Sequence, residues 1–286
     1  MEFRSAKWSP VPAEGDTPES STLRAFAVLE QIAAAEEPPT LEDLTRAIGL
    51  PKPTVFRILR LLVRGGLVQR EVHEKRYLVG ERVSALSLDV QMKSPRRRER
   101  RAILARLVDA IGETCNFTML DGTEVVYLDR VETSANVRLL MQSGSRVPLH
   151  CTASGKLLLS ELPPARLQRL LGPGPLPRYT QRTIVGIPTL ERELEKIRAS
   201  GVGTDNGEYL VDSVCLAVPV RDAQGRMCAA VAVHGPAPRM TLKKGFGFLP
   251  AMRSAAAAIA ATLVPAGTDE ALPLRRADAN RKDQAA

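Results

Sequence analysis

Apolar residues recur at helical spacing in two neighbouring segments near the start of the chain. One stripe consists of Leu41, Leu44, Ala47 and Ile48, and the other consists of Val55, Ile58, Leu59 and Leu62. Residues three and four apart share one face of a helix, so each segment is predicted to be a short helix with one buried side. Gly49 lies between them and is a suitable stop for the first helix.

Local signals mark where these helices begin. Thr40, followed three residues later by Asp43, is a capping box. Pro51 and Pro53 fall in the first turn of the next helix, where the missing N–H of proline costs little. The two helices are therefore predicted to be separate elements joined by a tight turn.

Two short β-prone segments follow, at 67–70 and 76–79, with a polar tip at 71–75 between them. Another amphipathic helix, which runs through Ile32, is predicted before the two helices described above. This order is that of a winged helix-turn-helix, which places one helix in the major groove of duplex DNA. The alternative is a solvated basic helix in a winged module that binds protein instead.

The distribution of charge favours DNA. The chain has 286 residues and a net charge of +8, and basic residues concentrate between 51 and 76 and in the run 96–101. We expect base contacts from the second helix and phosphate contacts from the wing. The predicted DNA-binding residues are Lys52, Thr54, Arg57 and Arg60 on the helix and Arg70, Lys75 and Arg76 on the wing.

The second half of the chain mixes strand and helix patterns, which predicts an α+β domain built on an antiparallel sheet. Strands are expected at 117–120, 125–131, 137–142, 214–220 and 227–234, and helices at 152–162, 164–171, 189–200 and 248–263. Asp205 is expected in an acidic, glycine-rich loop after the third of these helices.

Five regions follow from these patterns. They are a disordered tail at 1–20, the winged helix-turn-helix at 21–80, linker helices at 81–112, an effector-binding domain at 113–265 and a flexible tail at 266–286. The linker carries four apolar residues that would otherwise be exposed: Val83, Leu86, Leu88 and Val90. The linker helices are therefore predicted to mediate dimerisation.

From about residue 21 to 263 the chain resembles the IclR family of regulators. GLPKPTVFRILRLLVRGGLV is similar to the family's recognition-helix segment, RYLVG to its wing exit and PLHCTASGKLLLSELP to the helix-capping loop of its effector domain. YTQRTI with ELEKIRASGVGTDNGE, and then CLAVPVRDAQGRMCAAVAVHGPAPR, follow in the family's order. The chain departs from the family at Pro53, usually a hydroxyl residue, and at His234, often a small residue.

The resemblance implies a GAF-like α+β effector-binding domain and a ligand-responsive DNA-binding transcriptional regulator. Repression of a catabolic or metabolic operon is the commoner outcome in the family, and homodimers often pair into tetramers. A two-fold dimer would read a pseudo-palindromic operator. The implied effector cavity is lined by Leu139, Ala153, Ser154, Asp205, Ser213, Cys215, Ala232 and His234. A helix N-terminus near an imidazole suggests a carboxylate ligand, a small organic acid.

Other classes of function remain open at this point. An enzyme using thiol chemistry at the adjacent His150 and Cys151 is one alternative, and a structural DNA binder without a ligand is another. The four cysteines are far apart and form no Cys-x-x-Cys pair, which argues against a zinc ribbon or a disulfide scaffold. We expect no metal, no cofactor and no membrane partner, and a cytoplasmic location, since no signal peptide or spanning apolar run is evident.

Overall fold

The computed structural model describes residues 20–35, 37–71, 75–133 and 141–263. The N-terminal part contains helices and a two-stranded antiparallel sheet. The elements are α1 (Ser21–Ala34), α2 (Leu41–Ile48), α3 (Lys52–Arg64), β1 (Val68–Arg70) and β2 (Tyr77–Val79).

The local signals form as predicted. Thr40 and Asp43 make both bonds of the capping box, and Gly49 ends α2 in the left-handed conformation with φ 72°. The predicted apolar stripe of α3 is buried and packs with residues of α1, α2 and both strands. Thr40 also pairs with Arg76 in an isolated bridge, which fixes the wing against the start of α2.

The region predicted to be a linker divides into two parts. Helix α4 (Glu81–Lys93) has no buried residue, and Leu86 and Val90 are 61% and 58% exposed. Helix α5 (Arg97–Ile111) instead packs on the sheet of the C-terminal domain through an apolar stripe that includes Leu104 and Leu107. Only α4 therefore has the character of a linker.

The C-terminal domain is built on a six-stranded antiparallel sheet with the strand order β5-β4-β3-β8-β7-β6. Its strands are β3 (Thr114–Asp121), β4 (Glu124–Val131), β5 (Arg146–Pro148), β6 (Gly203–Asn206), β7 (Ser213–Arg221) and β8 (Met227–Pro236). Its other helices are α6 (Ala153–Ser160), α7 (Pro164–Leu171), α8 (Ile187–Ser200), α9 (Leu242–Phe246) and α10 (Leu249–Leu263). The predicted α+β class is confirmed.

The two faces of this sheet carry different helices. Helices α5 and α10 pack on one face, and α6 and α8 pack on the other. Two glycines bring α6 very close to its neighbours: a Cβ on Gly155 would lie 2.2 Å from the oxygen of Leu149, and one on Gly203 would lie 2.1 Å from that of Ala153. The N-terminus of α6 therefore packs directly against the first residue of β6.

Two strand predictions differ from the structure, and one is not covered by it. Asp205 lies in β6 and not in a loop, because this edge strand pairs with β7 through its backbone and needs no apolar alternation of its own. The short strand β5 was also missed, because it is an edge strand that forms by backbone pairing with β4 and has no apolar alternation of its own. Most of the strand expected at 137–142 lies outside the described residues. No helix among the described residues is long and apolar enough to cross a membrane.

Candidate DNA-binding face and effector cavity

Helix α3 is held by its apolar side and presents a cationic side to solvent. Opposite the buried stripe lie Arg57, Arg60 and Arg64, and all three are exposed. Within the described residues, no carboxylate lies within ion-pairing distance of these guanidinium groups. A row of cations left without counter-charges on one face of a helix suits a polyanion.

The other predicted DNA-binding residues differ in their surroundings. Lys52 is exposed, but its Nζ lies 2.9 Å from Oε1 of Glu42 on α2. Thr54 is half-buried, while Arg70 and Lys75 are exposed on the wing. Phosphate binding by Lys52 would have to compete with its carboxylate partner.

Arg76 is held differently from the other two basic residues of the wing. Its Nη1 donates to the carbonyl oxygen of Pro38 at 2.8 Å, so the guanidinium is turned toward the body of the domain and not outward along the wing. The backbone bridge to Thr40 accounts for this direction. This contact helps to position the wing, and phosphate contact by Arg76, as by Arg70 and Lys75, stays a prediction.

One exposed aromatic residue on α3 was not among the predicted contacts. Phe56 is 43% exposed and is adjacent in sequence to Arg57. A phenyl ring at this place can contact the methyl group of thymine. The sequence contained a clue, since Phe56 falls outside the apolar stripe of the helix.

The second basic run, at 96–101, belongs to the C-terminal domain. Arg97 and Arg100 both bind Asp129, through Nε at 2.7 and 3.0 Å, and Arg101 donates to the carbonyl oxygen of Arg130. These three arginines therefore stabilise the contact between α5 and β4.

A small cavity lies between the N-terminus of α6 and the face of the sheet on which α6 and α8 pack, which we call the inner face. Its lining residues are Tyr127, Met141, Val147, Thr152, Ala153, Ser154, Asp205, Tyr209, Leu210, Ser213, Cys215 and His234. Six of the eight predicted effector residues are among them. Ala232 is buried in the packing beside the cavity, and Leu139 lies outside the described residues. Tyr127, Thr152 and Tyr209 were not predicted.

The cavity is narrow but rich in polar groups. The centres of water-sized spheres can occupy about 20 Å³ of it, which is room for one water molecule. A larger cleft of about 700 Å³ lies between the N-terminal domain, α4 and the turn at 121–123. We regard the smaller cavity as the better candidate, because its hydroxyl, carboxyl and imidazole groups converge from several elements.

Burial shifts the pKa values of His234 and Asp205, two of the titratable groups that line the cavity, in opposite directions. Burial lowers the pKa of His234 to about 4, with a smaller contribution from the charge of Arg130. The imidazole is therefore neutral near pH 7, and its Nε2 lies 2.6 Å from Oγ of Ser213. Burial raises the pKa of Asp205 to about 7, although the N–H of Glu208 donates to its Oδ1 at 2.7 Å.

This shift predicts a pH-dependent effect of Asp205→Asn. Because the folded state holds the proton more tightly than the unfolded state, the stabilisation from Asp205 is fully present below about pH 4 and is lost as the pH rises through about 7. The asparagine variant avoids this loss. We expect its free energy of unfolding, relative to the parent protein, to rise by about 2 kcal/mol between pH 5 and pH 8.

Urea denaturation at the two pH values measures this difference. His234 titrates in both proteins, so its effect cancels. Asp222→Asn is the control, because hydrogen bonds lower the pKa of Asp222 against a raising effect of burial, and that carboxyl is ionised at both pH values. An Asp205→Asn difference that stayed constant with pH would show that the buried carboxyl does not titrate in this range.

The cysteine environments do not support thiol catalysis. Burial raises the pKa of Cys151 to about 12 and also raises that of Cys215. The Nε2 of His150 faces the carbonyl oxygen of Pro177 at 2.8 Å, so it is not placed as a base for the neighbouring thiol. No cluster of three or more His, Cys, Asp or Glu side chains suited to a metal ion is found in the described ranges.

Comparisons with known proteins identify the family. The IclR helix-turn-helix domain matches residues 21–72, and the C-terminal domain of the bacterial transcriptional regulator IclR matches residues 93–261. SauR of Cupriavidus necator, described as a probable transcriptional regulator, is 47% identical over 237 residues, covering 83% of this chain and 94% of SauR. The transcriptional repressor AllR of Klebsiella pneumoniae is 30% identical, covering 76% and 80% of the two chains.

A solved structure gives the same result. An IclR homologue from Microbacterium hydrocarbonoxydans, complexed with 4-hydroxybenzoate, superposes with a TM-score of 0.54 at 25% identity, covering 85% of this chain and 99% of the homologue. The two domain matches follow each other along the chain. The relatives and this structure each cover at least 76% of it. This chain therefore belongs to the IclR family of transcriptional regulators, and it is not an enzyme.

Proposed function

We propose that this protein represses a catabolic or metabolic operon by binding duplex DNA through α3 and the wing, and that a small organic acid in the sheet cavity alters this binding. The observation that carries the proposal is the exposed, uncompensated row of Arg57, Arg60 and Arg64 on a helix whose other side is fixed in the core. The repressor AllR and the 4-hydroxybenzoate complex support the two finer parts of the proposal.

The cavity supports an acid as the effector through its chemistry. Ser154, Ser213 and the N-terminus of α6 supply hydrogen-bonding groups, and the neutral imidazole of His234 can donate or accept. Because the cavity has room for about one water molecule, an aromatic acid must displace lining side chains. That displacement is a means by which a ligand can favour one arrangement of the domains over another.

The exposed apolar residues of α4 support a homodimer. Leu86 and Val90 are large, exposed apolar side chains on a helix with no fully buried residue in the part of the chain that the structure describes. Pairing with a second copy would remove them from water. Such a dimer, or a tetramer made from two dimers, would place two α3 helices on half-sites of a pseudo-palindromic operator. The cytoplasm, where DNA is accessible, is the proposed location.

The proposal is tested with the full-length protein and the intergenic DNA upstream of its own gene. We expect fluorescence anisotropy to give an association constant that falls as salt is added. Its logarithm should fall linearly with the logarithm of the salt concentration, with a slope of about −0.9 per phosphate contacted. A reporter fused to this DNA should be more active in a strain lacking the protein, and an added effector acid should relieve repression. Salt-independent binding would contradict the DNA part of the proposal, and a less active reporter would indicate an activator.

A further inference from the structure

We propose that Arg130 and Asn116 form the subsite that binds the carboxylate group of the effector. This inference rests on the proposed function in one respect, namely that the effector is an organic acid. Neither residue belongs to the set implied by the family resemblance, and both lie beside the cavity on the inner face of the sheet.

The register of the sheet places the two residues there. Asn116 on β3 pairs with Arg130 on β4 on one side and with Ala232 on β8 on the other. Paired residues point to the same side of a sheet, and so do residues two apart on one strand. Arg130, Asn116 and Ala232 therefore form a row next to the row that contains His234. The small side chain of Ala232 leaves space between the asparagine and the cavity.

Asn116 has a buried donor without an acceptor. Its Oδ1 accepts a hydrogen bond from Nη1 of Arg130 at 3.0 Å, which fixes the orientation of the amide because a guanidinium can only donate. Its Nδ2 is consequently the group left without a partner among the described residues. Buried amide nitrogens are nearly always hydrogen-bonded, so an unpaired one indicates a place for an additional acceptor.

Arg130 supplies the charge. It is 6% exposed, and its Nε lies 3.2 Å from Oε1 of the more exposed Glu132. These contacts use Nε and Nη1, and no contact of Nη2 is found in the described part of the chain. A guanidinium that keeps donors available in a dry environment binds a carboxylate strongly.

Other groups around the cavity that could bind an anion are partly taken up by partners within the chain. Lys156 is fully buried, but its Nζ lies 2.5 Å from Glu208 and 3.5 Å from Glu193. At the N-terminus of α6, the hydroxyl of Thr152 already accepts from the N–H of Gly155. The carboxyl of Asp205 lines the same cavity, and in its ionised form it would repel a second carboxylate. The Arg130 side of the cavity is therefore electrostatically the more favourable one.

Paired acids and amides test the subsite directly. Isothermal titration calorimetry would compare 4-hydroxybenzoate with 4-hydroxybenzamide, and formate with formamide, on the full-length protein. We expect the parent protein to prefer the acids and Arg130→Met to lose at least about tenfold in acid affinity, with little change for the amides. Arg130→Lys should retain part of the preference. Arg226→Met, which removes an exposed ion-paired arginine from the same domain, is the matched control.

A second measurement does not depend on the folding of any variant. In the parent protein, formate should shift the Nε–H resonance of Arg130 in an arginine-selective NMR spectrum, in a saturable manner. An acid preference that survived in Arg130→Met, or an unmoved Arg130 resonance, would overturn the subsite and leave acid sensing intact. A parent protein that bound the amides and rejected the acids would overturn both the subsite and the proposed class of effector.

Discussion

Replacing both Arg57 and Arg60 by alanine is expected to weaken binding to upstream DNA by about 100-fold or more at fixed salt. Each arginine contact with a base edge or a phosphate contributes about 1–3 kcal/mol, and each 1.4 kcal/mol is a factor of about ten. Both side chains are exposed and do not bond to the rest of the described chain, so their removal should leave α3 folded. Fluorescence anisotropy with the parent and variant proteins measures the effect.

The control must remove the same net charge from elsewhere. Arg192→Ala with Arg226→Ala does so at two exposed positions of the C-terminal domain. We expect this control to retain nearly all of its affinity, because long-range electrostatics are screened beyond about 10 Å at moderate salt. Equal losses in the two double variants would mean that net charge, and not the face of α3, determines binding.

Replacing Asp129 by alanine is expected to destabilise the C-terminal domain by about 3–5 kcal/mol, the cost of leaving a buried charge without its partner. Asp129 accepts from Arg97 and Arg100, and Arg100 is only 1% exposed. The same guanidinium donates to the carbonyl oxygen of Gln91 at 2.9 Å and lies over the ring of Phe117. Removing the carboxylate therefore affects α4, α5 and the sheet together.

Urea denaturation followed by circular dichroism measures this loss. The control is Arg226→Ala, which removes the exposed partner of the ion pair with Asp222 and should cost less than about 1 kcal/mol. The double variant Asp129→Ala, Arg100→Met should recover much of the stability, because it removes the stranded charge. A double variant as unstable as the single one would mean that the loss comes from packing and not from the unpaired guanidinium.

The parts of the fold that the sequence predicted are those fixed by neighbouring residues. The capping box of Thr40 and Asp43 and the left-handed Gly49 depend on contacts within four residues, so the boundaries of α2 could be read directly. The apolar stripe of α3 was clear because one side of that helix faces a core and the other faces water. The outward position of Arg57 and Arg60 followed from the same periodicity.

The parts that the sequence did not predict depend on distant residues. Arg100 lies in a run of bases that suggested a DNA contact, but its partner Asp129 is 29 positions away on β4. Arg130 and Asn116 meet only through the register of β3 and β4, which no local pattern specifies. Asp205 was expected in a loop because its strand lacks apolar alternation and forms only by pairing with β7.

The surroundings of the four cysteines affect how their thiols react with oxidants. Burial raises the pKa of the thiols of Cys115, Cys151, Cys215 and Cys228. The thiolate is the form that attacks peroxide, and a cysteine with a raised pKa is almost entirely in the thiol form at neutral pH. The four thiols should thus react with peroxide more slowly than an exposed cysteine of ordinary pKa, and DNA binding should not respond to peroxide through them.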